Sequence, residues 1–388
     1  MLGLMRPAGL ATAAWSPARA LAREFKKTET MPRDRPIIIN ALGGIEDPNL
    51  ALGRPQSDNP VAMDEIDIDA RAIADARAGG LTAVNITLGY VGGPEEPYAY
   101  TLKTIDAWDK VLADHASDLM PVHTASDILK ARDDNKIGIV YGFQNGAMVG
   151  NDPAQVPARV NEFASRGVRV FQLTYNPANQ LGDGSMVPQN RGLTPLGRDA
   201  VAAVNGAKMM VDLSHSGENT CLDAARISKA PISINHTGCR ALCDLPRNKT
   251  DAELRLVADG GGFVGIYFMP FLKSDSHPHA EDVVAHIDHA VNVCGEDHVG
   301  IGTDGAVTTI DDMEKYRGFI RKQIADRAAK GLGATGETPD TYPFVIDLRG
   351  VDQFRKLESL LKAKGYGETR IDKILGRNFL AFAKEIWG

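Results

Sequence analysis

The chain has 388 residues, 43% hydrophobic and 24% charged, and 50 acidic against 43 basic side chains leave a formal charge of −7. An acidic balance excludes a surface built to grip nucleic acid or anionic lipid, since both need a basic footprint. Four cysteines (Cys221, Cys239, Cys243, Cys294) without a CxxC pair exclude a disulfide scaffold and thiol-redox motifs.

Residues 1–23 hold three arginines and no acid, with Arg-Ala-Leu-Ala at 19–22 resembling a cleavage site, but Pro17 and Arg19 interrupt the apolar run. Segment 1–35 therefore reads as a disordered leader or a weak targeting segment, with the cytoplasm as the expected compartment and export as the alternative. No run approaches the ~18 apolar residues of a membrane span, so no transmembrane segment is expected.

From residue 36 to 388 the pattern is that of one domain in which short aliphatic runs alternate with amphipathic stretches. Strands are expected at Pro36–Asn40, Leu81–Leu88, Ile137–Phe143, Val168–Thr174, Lys208–Leu213, Pro231–Asn235, Gly262–Phe268 and His298–Thr303. Helices are expected at Asp64–Ala78, Pro157–Arg166, Thr194–Asn205, Glu218–Ser228, Thr250–Asp259 and Glu281–Cys294, several opened by acidic or Ser/Thr caps. Apolar strands separated by helices read as a parallel sheet covered on both sides. Eight such units predict an α/β fold, a (β/α)8 barrel, with a doubly wound open sheet as the alternative. Beyond the last strand, Asp311–Lys330 reads as a charged, solvated helix, Gly331–Pro343 as a loop, and Val351–Lys364 with Glu368–Trp387 as closing helices.

Chemistry in such barrels sits at the C-terminal strand ends. Here these carry Asn40, Gln144 and Asn145, Tyr175 and Asn176, Ser214 and His215, His236, and Asp304. Two neutral imidazoles and a carboxylate are natural zinc ligands, and a metal-bound water ionises near neutral pH. Spacing alone leaves a structural role for these residues equally open. His286 and His289, three apart on an expected helix, and His115, His123 and His298 read as structural, as do Cys239 and Cys243.

Val211-Asp-Leu-Ser-His215, Ala230-Pro-Ile-Ser-Ile-Asn-His236-Thr, Arg240-Ala-Leu-Cys-Asp-Leu-Pro-Arg247-Asn-Lys-Thr-Asp251, Gly260-Gly-Gly-Phe-Val-Gly265 and Asp297-His-Val-Gly-Ile-Gly-Thr-Asp304-Gly resemble, in this order, the membrane (renal) dipeptidase family of metallopeptidases. The resemblance spans about residues 36–385. It implies an amidohydrolase-type barrel, a dinuclear zinc centre, hydrolysis of a dipeptide or other small molecule bearing a free carboxylate, and a homodimer. By position it makes His215 and His236 metal ligands, Arg247 the holder of the substrate carboxylate and Asp304 an acid/base.

Four positions depart from the family pattern. Its His-x-Asp after the first strand is Ala41 and Gly43 here, its metal-bridging glutamate is Gln144, and its histidine after the fourth strand is Tyr175. A neutral amide is a weak zinc ligand, and neither Ala nor Gly ligates at all. The expectation is a hydrolase with one zinc ion or none rather than two. The alternative is a metal-free enzyme or a carboxylate-binding protein using Arg247, Asn176, Tyr175, Gln144 and Asp304.

Overall fold

The computed structural model describes residues 36–63 and 65–388, so the leader expected over 1–35 lies outside the described residues. Among the described residues there are nine strands: β1 (Ile38–Asn40), β2 (Leu81–Thr87), β3 (Leu119–Pro121), β4 (Ile137–Phe143), β5 (Val168–Gln172), β6 (Met210–Asp212), β7 (Ser233–Thr237), β8 (Phe263–Ile266) and β9 (Val299–Ile301). Every pairing is parallel, in the order β1-β2-β4-β5-β6-β7-β8-β9. The ring closes where Ala41 N donates to Ile301 O at 3.0 Å. Just above, the Asn40 amide brackets Thr303, donating to its Oγ1 and accepting from its N–H, both at 2.8 Å.

All eight expected strands form the barrel. Elements that escaped the sequence reading include β3, which pairs with the first residues of β4, the short helix Pro48–Ala51, and the helices Pro97–Asp114 and Ala125–Asp133. The longest of these helices buries Tyr100, Thr101, Thr104, Ile105, Trp108 and Leu112, a stripe whose hydroxyl-bearing members hide its amphipathic period.

The strands are apolar on both faces because helices cover the outside and side chains fill the inside. At the floor, Ile39, Ala83, Val140, Val170, Met210 and Phe263 pack with Phe379, Phe382 and Trp387 of the terminal helix Asn378–Trp387, which plugs the barrel. The Phe263 ring meets Phe379 edge-on at 5.3 Å. Nearer the mouth, a Cβ at Gly265 or Gly302 would lie 2.1 or 1.9 Å from Asn235 O. Only glycine lets β7, β8 and β9 close at that level. Among the described residues no helix is long and apolar enough to cross a membrane.

Candidate active site at the barrel mouth

Gln144, Tyr175, Asn176, His215, Arg247 and Asp304, all expected from sequence, line one cavity of about 300 Å³ at the C-terminal end of the strands. His236 does not reach the wall. It is fully buried behind His215, with ring centroids 4.9 Å apart.

The central group is His215. Its Nδ1 lies 2.7 Å from Asn176 Oδ1 and its Nε2 lies 3.1 Å from Arg247 Nη2. A guanidinium only donates, so Nε2 accepts and the ring proton sits on Nδ1, donating to Asn176. Asn176 is held in the matching orientation because its Nδ2 donates to Leu332 O at 3.0 Å. Tyr175 stacks on the imidazole at 4.3 Å. Burial, with Arg247 beside it, pushes the His215 pKa well below the ordinary histidine range, so the ring is neutral.

Arg247 is 1% exposed. Nη1 donates to Ser214 O at 2.5 Å, while Nη2 meets His215, so both contacts are to neutral acceptors. Among the described residues no carboxylate oxygen comes within 4.0 Å of it. A buried cation without a contacting anion is costly unless a ligand supplies the charge. Asp304, whose N–H donates to Leu42 O at 2.9 Å, adopts a left-handed φ of 57° immediately past β9. Burial pushes its carboxyl up to about 6, with Arg247 and Arg327 opposing.

Sequence reasoning missed Arg327 and Glu337, which pair at 3.3 Å and also line the cavity. Arg327 and Gln323 belong to the helix Met313–Ala329, so the expected solvated helix turns one face to the mouth. Its charges run all round, burying only Tyr316 and Ile320, and that uniformity concealed the functional face. Glu46, on the loop after β1, is likewise on the wall, and burial raises its pKa.

His286 accepts from Cys239 N–H at 2.8 Å and approaches Leu272 O at 3.0 Å, while His289 contacts Asp251 and His298 contacts Gly262 O.

The donor set does not fit the two-zinc centre implied by the resemblance. Ala41 and Gly43 have no ligating atom, and the Gln144 amide donates through Nε2 to Thr87 Oγ1 at 2.6 Å. Both nitrogens of His215 are engaged, by Asn176 and Arg247, so a single zinc on His215 and His236 would have to displace one of those contacts. His236 retains two unpartnered ring nitrogens. Among the described residues no three His, Cys, Asp or Glu side chains cluster so as to hold a metal ion.

The family model described as "Membrane dipeptidase (Peptidase family M19)" matches residues 65–332. A Klebsiella pneumoniae protein described only as uncharacterized, in the pqqA 5' region, is 28% identical over 306 residues, covering 76% of this chain and 98% of its own. Dipeptidase tcpJ of Claviceps purpurea is 31% identical over 233 residues, 58% of this chain; the match spans about half, 54%, of that dipeptidase. Among solved structures, an amidohydrolase from Pseudomonas aeruginosa superposes with a TM-score of 0.73 at 31% identity, covering 91% of this chain and 97% of that one. A Rhodobacter sphaeroides metallopeptidase, liganded with a phosphinate mimic of L-Ala-D-Ala, shares the fold at TM-score 0.69 and 20% identity, over 91% of this chain and 100% of that one.

Proposed function

This chain belongs to the membrane dipeptidase family, peptidase family M19, and from that premise we propose that it is a dipeptidase-like hydrolase cleaving an amide bond of a small substrate with a free carboxylate, at a centre altered from the two-zinc form. The observation carrying this reading is the buried Arg247 guanidinium at the mouth, in contact only with neutral acceptors. A substrate carboxylate meets its free N–H groups and supplies the missing anion.

The reaction adds water to the amide carbonyl carbon, breaks the C–N bond and protonates the departing nitrogen. Asp304, mostly ionised at neutral pH with its carboxyl near 6, takes the proton from water and returns it to the amine. Burial raises the Tyr175 pKa, keeping its hydroxyl protonated as a donor to the developing oxyanion. The Gln144 amide, anchored on Thr87, orients the water.

A second reading, a carboxylate-binding protein, is favoured by the same Arg247–His215 contact, which occupies the lone pair a zinc ligand needs. A panel of dipeptides and their C-terminal amides, assayed for turnover and by calorimetry alongside elemental analysis, separates the two. Turnover of the acids alone supports the hydrolase, and binding without turnover the binder. Indifference to the carboxylate overturns both, and two zinc ions per chain overturn the altered centre.

A further inference from the structure

A second cavity, of about 230 Å³, shares the wall formed by Glu46, Asp304, Gly305, Ala306 and Pro343 with the mouth. Its remaining lining is largely apolar, with Phe268, Ile310, Tyr316 and Phe344 among it. Three lining residues nevertheless carry buried donors without a hydrogen-bond partner among the described residues: Thr308 Oγ1, Arg349 Nε and Gln353 Nε2. Thr308 is 5% and Gln353 3% exposed. Arg349 lies over the Phe344 ring at 5.1 Å and makes no ion pair within 4.0 Å among the described residues.

Leaving a buried donor unmade is costly, more so when it is charged, and three of the sixteen unpartnered buried side-chain polar atoms among the described residues belong to residues that line this one cavity. Two of them, an amide N–H and a guanidinium N–H, cannot accept, and the third is a hydroxyl free to donate. The common complement of these three is an acceptor oxygen, the carboxyls of Glu46 and Asp304 lying on the wall shared with the mouth.

We infer that this side cavity is a subsite for the end of the ligand remote from Arg247, and that it takes an apolar acyl chain terminating in an acceptor oxygen. The inference rests on the carboxylate reading of the mouth, since one ligand is to span both cavities past Asp304. It points to N-acylated amino acids in preference to dipeptides with a free amine. Neutral carbonyl and carboxylate ends share the required chemistry, and Arg349 adds charge for the latter.

Calorimetry on the full chain with four leucine derivatives of matched length tests this: N-glutaryl, N-glutaramoyl, N-pentanoyl and N-(4-aminobutanoyl) leucine, ending in carboxylate, amide, methyl and ammonium. The expected result is that the carboxylate- and amide-ended ligands bind about tenfold or more tighter than the ammonium-ended one. A glutaryl preference over glutaramoyl identifies an anion site, and equality identifies a carbonyl site. Gln353→Met and, as a milder variant, Thr308→Val are each expected to weaken glutaryl-leucine roughly three- to tenfold and leave pentanoyl-leucine unchanged.

Affinity indifferent to the end group, or variants that weaken pentanoyl- and glutaryl-leucine alike, overturns the subsite. Arg247→Met separates the two readings: a loss for all four ligands upholds the mouth whatever the subsite does. If Arg247→Met changes nothing while Gln353→Met does, the subsite stands without the mouth. If none of the four binds, both fall.

Discussion

Arg247 Nη2 lies 3.1 Å from Nε2 of His215, so the imidazole lone pair that a metal would use is met by a guanidinium. On the proposed reading the same guanidinium also receives the substrate carboxylate. Arg247→Lys keeps the charge but loses the planar fork, and affinity for a free-carboxylate ligand is expected to fall about tenfold or more. Calorimetry with the acid and its amide checks this. An unchanged acid-over-amide preference in the variant removes Arg247 from recognition.

Asp304 gives a pH signature. Its carboxyl titrates near 6 in the fold against an ordinary 3.8, because burial disfavours the anion. The folded chain thus holds this proton more tightly than the unfolded chain, so ionised Asp304 costs stability above pH 6 and the cost is relieved as pH falls toward 4. Asp304→Asn is expected to stabilise the protein at pH 8 by up to about 3 kcal/mol, less whatever solvent in the cavity screens, with the gain gone by about pH 4. Denaturant titrations at the two pH values measure the difference. A pH-independent gain contradicts the assignment, as does turnover that fails to rise with an apparent pKa near 6.

His215 and His236 act in the opposite sense. Burial holds both well below the ordinary 6.5. Their neutral forms contribute stability that is complete above pH 6.5 and lost progressively as pH falls below it, since the unfolded chain then takes up protons the fold refuses. Replacing His236 with Asn is expected to flatten the acid limb of the stability profile. An unaltered acid limb shows that the ring is not buried neutral.

Gly43, the position at which the resemblance implies an aspartate, has little room for a side chain. A Cβ there would lie 2.0 Å from Asn40 Nδ2 and 2.9 Å from Gly305 O. Gly43→Ala is expected to destabilise by about 1–3 kcal/mol through overpacking. Part of this should be recovered in the Asn40→Gly/Gly43→Ala double variant, though the Asn40–Thr303 clasp is then lost. Strict additivity of the two effects in thermal unfolding rules out the clash.

Lys249 and Glu253 form an ion pair at 3.3 Å with side chains 2% and 1% exposed, and Lys249 Nζ also donates to Ser216 O beside His215. Lys249→Met removes the countercharge and leaves the buried Glu253 its hydrogen bonds from Thr250, and a loss of about 3–5 kcal/mol is expected. Adding Glu253→Gln should restore much of it. A single variant as stable as the parent shows the pair to be dispensable.

The linear sequence determined the barrel and most of its mouth. Apolar runs such as Ile137–Phe143 have no other stable environment than a sheet covered on both faces, and polar residues at their ends, Gln144, His215 and Asp304, are carried to the mouth by parallel strand direction alone. Tertiary structure decided what those residues do to one another. That Arg247, 32 positions from His215, engages its Nε2 depends on how the loop after β7 folds back across β6. Arg327, Arg349 and Gln353 carry no local mark, because Arg327 sits in a helix charged on all sides and Arg349 and Gln353 flank an ordinary turn. Their place in the proposals comes from burial beside a cavity, which only the folded chain creates.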